Sequence, residues 1–145
     1  MSTSSEASAV SPAVVGIGTD LVMVPRMGAA LARRPRLAAR LFTPAEREIL
    51  EPGRSDSARV RSMAARLAAK EAVMKALGVG LGEVGFHEIE VRGGRGSAPS
   101  VTLHGRAAER ARAMNADAVS ISMSHDGHLA MATAVASRRC TCNPS

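Results

Sequence analysis

SARVRSMAARLAAKEAVMKALG, residues 57–78, is the stretch on which the fold turns. It has no proline and no interior glycine, and it is rich in alanine, leucine, methionine and arginine. That composition predicts a long helix from about Ser57 to Leu77, stopped by Gly78 in the left-handed conformation that ends helices. At ~100° per residue with Val60 at zero, Met63, Leu67 and Met74 fall within about 60° on one side. Glu71 lands about 20° from Val60 inside that apolar stripe, Lys75 about 60° away at its edge, and Arg59, Arg66 and Lys70 cluster on a neighbouring flank. A carboxylate on a buried helix face is costly unless it is paired or holds a metal. An i, i+4 pair of Glu71 with Lys75 on a solvated surface accounts for the pattern equally well. A second carboxylate nearby would be required to make a site of it.

Upstream, Thr43-Pro44-Ala45-Glu46 carries an N-cap, a proline at the first helical position and the acid of a capping box, predicting a short helix through Leu50. Glu51 to Asp56 reads as a loop. Arg26 to Leu41 has helical composition, entered at Pro25 and interrupted at Pro35. Val14-Val15-Gly16-Ile17-Gly18 predicts a strand with a tight exit. Downstream, the four glycines between Gly78 and Gly85 mark a loop, followed by strands at 87–92 and 100–104 joined through a glycine turn at 93–96. A helix follows at 106–114. Strands at 118–124 and 129–136 flank Asp126-Gly127, a hairpin signal. The order β-α-α-α-β-β-α-β-β predicts an α+β fold, helices packed on a mostly antiparallel sheet. Residues 13–137 form the expected domain, with tails at 1–12 and 138–145.

The 145 residues are one domain's worth of chain, and 46% hydrophobic content suffices for a core. Two Phe and no Tyr or Trp argue against single-strand nucleic-acid binding by base stacking. The net charge of +6 favours an anionic partner: nucleic acid, phosphorylated cofactor, anionic lipid or acidic protein. No window approaches the ~20 apolar residues of a membrane span, and the N-terminus lacks the order of a signal peptide. A cytoplasmic protein is expected. Cys140 and Cys142, the only cysteines, read as bystander thiols in a polar tail.

Asp20, after GIGT, is the second acid to set beside Glu71. Asp after Gly usually ends a turn; convergence with Glu71 would instead give the two-carboxylate arrangement common for Mg²⁺. Ser122-Met123-Ser124-His125-Asp126 lies at the mouth of the last hairpin. Consecutive Ser, His and Asp do not make a catalytic triad, whose members must meet in space. His87, His104 and His128 have no zinc-ligand spacing.

GIGTDLV (16–22), RLAAKEAVMKALG (66–78) and SMSHD (122–126), in this order and spacing, resemble the holo-acyl-carrier-protein synthase family, the short single-copy 4′-phosphopantetheinyl transferases. The likeness runs from about Val14 to Ala136. It implies transfer of phosphopantetheine from coenzyme A to a serine of apo acyl carrier protein, with Mg²⁺ and release of adenosine 3′,5′-bisphosphate. It also implies a homotrimer with clefts between neighbouring subunits, and a carrier of fatty-acid or polyketide type.

By resemblance, Asp20 and Glu71 are the metal-binding acids and Lys75 the lysine near the transferred phosphate. Arg66 and Lys70 face cofactor, and Gly78 to Gly82 lie along it. Ser124 and His125 approach its nucleotide end, and Arg26 meets acidic side chains of the carrier. Glu71, acting directly or through a metal-bound water, is the base for the carrier's serine. Arg33, Arg34, Arg36 and Arg40 extend the basic surface around Arg26. Three departures from the family stand out: Met23 where many relatives carry an acid, Leu67 for the usual Phe, and a stretched turn at 96–99. The alternatives are a small basic nucleic-acid-binding module, motivated by charge alone, and a purely structural oligomer-forming protein.

Overall fold

The computed structural model describes residues 13–50, 55–94 and 96–139. The two cysteines, most of the expected loop at 51–56 and nearly all of both expected tails lie outside the described residues. Arg138 and Arg139, assigned to the C-terminal tail, are tied down: their amides donate to the Ala13 carbonyl at 2.6 Å and to Asp117 Oδ2 at 2.8 Å.

The chain runs β1 (Val14–Met23), α1 (Val24–Arg33), α2 (Leu37–Leu41), α3 (Pro44–Leu50), α4 (Asp56–Leu77), a 3₁₀ turn (Phe86–Glu88), β2 (Ile89–Arg92), β3 (Ser100–Leu103), α5 (Gly105–Ala113), β4 (Ala118–Asp126) and β5 (Leu129–Ser137). The strands form an antiparallel three-stranded sheet in the order β1-β5-β4 and an antiparallel β2-β3 pair. The α+β expectation holds. The first helical region is two helices because Pro35 falls between them. Part of the strand expected at 87–92 is a 3₁₀ turn instead: Glu88 Oε2 accepts from the Gly85 amide at 2.6 Å and holds the chain curled.

Helix α4 lies across one face of the larger sheet, and small residues set how closely. β5 presents Ala130, Ala132, Ala134 and Ala136 inward, all fully or almost fully buried. α4 answers with Ala68, Ala69, Ala72 and Ala76, equally enclosed. Gly16 and Gly18 complete the fit. A Cβ on Gly16 would sit 2.0 Å from the Ala76 carbonyl oxygen, and one on Gly18 2.0 Å from that of Ala72. These glycines therefore serve close approach and not a turn, so β1 runs on to Met23 and Asp20 lies within the strand. A second correction concerns the helix stripe. α4 is buried nearly all round, by the sheet on one side and by α3 and β2 on the other, so the Val60–Leu67–Glu71 line is its more open side. Gly78 ends the helix with φ of 65°, as expected.

Candidate active site

Strand alternation decides which side chains of β1 reach α4. Gly16, Gly18, Asp20 and Val22 face the helix, while Ile17, Thr19, Leu21 and Met23 face away. Asp20 thus meets Glu71 and Lys75. Lys75 Nζ donates to Asp20 Oδ1 at 2.9 Å and to the Thr19 carbonyl at 2.9 Å. The Glu71 carboxyl lies within hydrogen-bonding reach of Asp20. Burial, the hydrogen bond to Asp20 and the Asp20 charge raise Glu71 from an ordinary value near 4.5 to about 7, against the opposing pull of Lys75. Asp20 Oδ2 is buried without a hydrogen-bond donor. An acceptor-only oxygen beside a second carboxyl suits a cation. The all-oxygen donor set matches a hard divalent ion such as Mg²⁺. Among the described residues no third His, Cys, Asp or Glu joins these two acids. Other ligands would come from water or phosphate.

Two clefts border α4. One, about 440 Å³, is lined by Leu21, Met23, Arg26, Met27, Leu67, Glu71 and Phe86. The other, about 420 Å³, is lined by Arg61, Ser62, Arg66, Gly93, Gly94 and His125. Counted around the helix, the α4 residues of the two clefts point about 170° apart at ~100° per residue. Asp20 and His125 also sit on the opposite edge strands, with β5 between, roughly 10 Å apart across two strand spacings. Within one chain, then, Asp20, Glu71 and Lys75 converge, and Arg66 and His125 do not join them.

Arg66 is almost fully buried and donates through Nη2 to the Gly93 carbonyl at 2.8 Å. Ser124 points to the sheet face away from α4, opposite to its neighbour His125, by strand alternation. Gly78 and Gly82 flank the loop after α4, and nothing lies within 4 Å of a Cβ built on Gly82. Arg26 is exposed on α1 and lines the Glu71 cleft.

Lys70 departs from its expected place. Its side chain is 0% exposed, and Nζ donates to Glu46 Oε2 at 2.8 Å and to the Phe86 carbonyl at 2.8 Å. The Phe42 ring centroid lies 5.6 Å away. Burial pushes the Lys70 pKa down, and Glu46 pulls it back up. Lys70 faces the interior and not a cofactor. Arg61, Ser62 and the Gly93-Gly94 wall were not singled out from the sequence. Arg61 lies about 140° from Arg66 around the helix, so no common stripe signals that they line one cleft.

A family model described as "4′-phosphopantetheinyl transferase superfamily" matches residues 16–133. A holo-[acyl-carrier-protein] synthase of Desulforudis audaxviator is 45% identical over 124 residues, 85% of this chain and 92% of that one. A holo-(acyl-carrier-protein) synthase of Bacillus anthracis, solved in complex with CoA (3′,5′-ADP), superposes with a TM-score of 0.73 at 31% identity, covering 88% of this chain and 100% of that one. The Helicobacter pylori holo-[acyl-carrier-protein] synthase in complex with coenzyme A gives a TM-score of 0.70 at 32% identity, covering 83% of this chain and 99% of that one.

Proposed function

The chain belongs to the 4′-phosphopantetheinyl transferase superfamily, among the holo-[acyl-carrier-protein] synthases, and we propose the reaction it performs. It moves the 4′-phosphopantetheine group from coenzyme A to a serine of an apo acyl carrier protein, with Mg²⁺. The observation that carries this reading is the meeting of Asp20, Glu71 and Lys75 across β1 and α4. The serine oxygen bonds to the β-phosphorus of the donor diphosphate, the bridging P–O bond breaks, and adenosine 3′,5′-bisphosphate leaves. Such transfer is positioning plus charge neutralisation. Asp20 and Glu71 would hold the Mg²⁺, which would supply charge neutralisation at the diphosphate.

The chain's own groups do the rest. Glu71, which lines the cleft beside Asp20, is suited to take the serine proton, directly or through water. Lys75, whose side chain is 56% exposed, offers a positive charge to the transferring oxygens. Arg26 lines the cleft that holds Glu71 and is suited to an acidic carrier, with Arg33, Arg34, Arg36 and Arg40 further along the same helical region. The test is to incubate the protein with coenzyme A, Mg²⁺ and an apo carrier protein and weigh the carrier. One added phosphopantetheine is expected; an unchanged mass with all three present rejects the reading.

The same reading includes a homotrimer whose clefts form between subunits. Two features support it. The sheet face away from α4 is open and apolar along its β1 and β5 rows, with Ile17 68%, Leu21 58% and Met131 44% exposed. The Arg66–His125 cleft and the Asp20–Glu71–Lys75 cluster lie on opposite sides of α4, an arrangement that suits one coenzyme A lying between two copies. Mixing Asp20→Asn with Arg66→Ala protein should restore transfer that neither variant shows alone. Mixed oligomers without recovered activity would place the whole site in one chain.

A further inference from the structure

Thr43 and Glu46 form the capping box that opens α3: the Thr43 amide donates to Glu46 Oε2 at 2.7 Å, and the Glu46 amide to Thr43 Oγ1 at 3.2 Å. The same carboxylate does more than cap. Its Oε2 also receives Lys70 Nζ, and its Oε1 accepts from the Val91 amide at 2.8 Å. Both side chains of the ion pair are 0% exposed. A buried pair is a poor choice for stability alone, since apolar side chains of similar size often hold a fold as well or better. Directed bonds fix orientation, which apolar packing does less strictly.

The bonds reach the walls of both clefts. Lys70 immediately precedes Glu71 on α4, so the rotation that satisfies one sets the aim of the other. Lys70 holds the Phe86 carbonyl, and Phe86 lines the cleft of Glu71. Glu46 holds the Val91 amide in β2, and two residues later the Gly93 carbonyl accepts from Arg66 in the other cleft.

Resting on the transferase reading, we propose that Glu46, acting through Lys70, is a positioning residue for the reaction: it sets α4 and the 86–93 segment so that Glu71 is aimed into its cleft. It touches no substrate.

Glu46→Gln is a sharp probe. Each carboxylate oxygen accepts from an N–H, so whichever way the amide lies, its NH₂ meets a donor. Transfer kinetics well below the melting temperature should show kcat down by at least about tenfold, with KM for coenzyme A within about threefold of the parent. The double variant Glu46→Leu/Lys70→Met removes both buried charges but leaves the Thr43 and Val91 amides without their acceptor; where it folds, it should lack the parent's kcat. Should that double variant melt early, Glu46→Asp keeps the charge on a shorter arm, and an intermediate loss of kcat is expected. A folded variant of either kind with the parent's kcat overturns the positioning role and leaves the pair a fold element only. A parent protein that leaves the carrier unmodified overturns the transferase reading, and this inference falls with it. An active parent beside fully active folded variants overturns the inference alone.

Discussion

Lys70 and Lys75 lie on the same helix and make ion pairs of nearly equal length, 2.8 Å to Glu46 and 2.9 Å to Asp20. Their surroundings are opposite. The first pair is wholly enclosed, with its acceptors and donors committed to named backbone groups; the second leaves the lysine more than half exposed and one carboxylate oxygen without a donor. The distance between charges therefore says little about what a pair does. Burial makes the first an architectural clamp. Exposure and an orphaned oxygen leave the second available to bind something else.

The sharpest way to break this contrast is at the open cluster. Glu71→Gln should lower transfer about 10³-fold, within the range for losing a general base, while the melting temperature stays at or above that of the parent. A partly buried acid raised to about 7 is already neutral below neutrality, and the amide imitates that neutral form. Turnover near the parent's, measured by carrier mass against time, would remove Glu71 from the chemistry. At the enclosed pair the loss is one of stability. Lys70→Met strands Glu46 as a buried charge without its counter-ion, and chemical denaturation should show about 3–5 kcal/mol of destabilisation. A loss below about 1 kcal/mol would mean that Glu46 is solvated or neutral in the folded protein.

The clamp and the cluster were unequally legible in the sequence. Helix α4, its glycine stop, the capping box at Thr43 and the Asp126-Gly127 hairpin are local signals, and each appears in the structure where the residues put it. The reach of β1 to Met23 was not legible, because Gly16 and Gly18 answer to the carbonyls of Ala76 and Ala72, partners far along the chain. Asp20 and Glu71 were picked out by residue type and resemblance, but their approach depends on that same close packing. Lys70 shows the limit most clearly. Its flank beside Arg66 reads as a basic surface on a helical wheel, and only the tertiary position of Glu46, Phe86 and Phe42 turns it inward. The helical wheel sets Arg66 about 140° from Glu71, but no local pattern reveals that each lines a separate cleft.

Smaller effects separate the two regions by pH. Glu71 holds a proton more tightly in the folded chain, at about 7, than at its ordinary value near 4.5. The folded state therefore binds more protons between those values, and metal-free stability should fall as pH rises from about 4.5 to about 7. Melting temperatures across that range should drop by about 5 °C or more, and the drop should vanish in Glu71→Gln. Millimolar Mg²⁺ should oppose it most at the upper end, where the carboxylate is ionised. A flat profile in the parent would show Glu71 to be an ordinary exposed acid.

Lys75→Met is the gentlest of these tests. Its pair is exposed on the lysine side, so the direct loss should be under about 1 kcal/mol. The larger signature is indirect. The Lys75 charge is what holds Glu71 down against burial and Asp20, so its removal should carry the Glu71 titration upward and move the midpoint of the pH-dependent melting profile with it. Lys70→Met should move that midpoint less, because the Lys70 side chain runs inward to Glu46 and Phe86, on another flank of the helix from Glu71. Equal shifts from the two substitutions would mean that the buried pair and the open cluster are one electrostatic unit, and the division between clamp and chemistry would have to be given up.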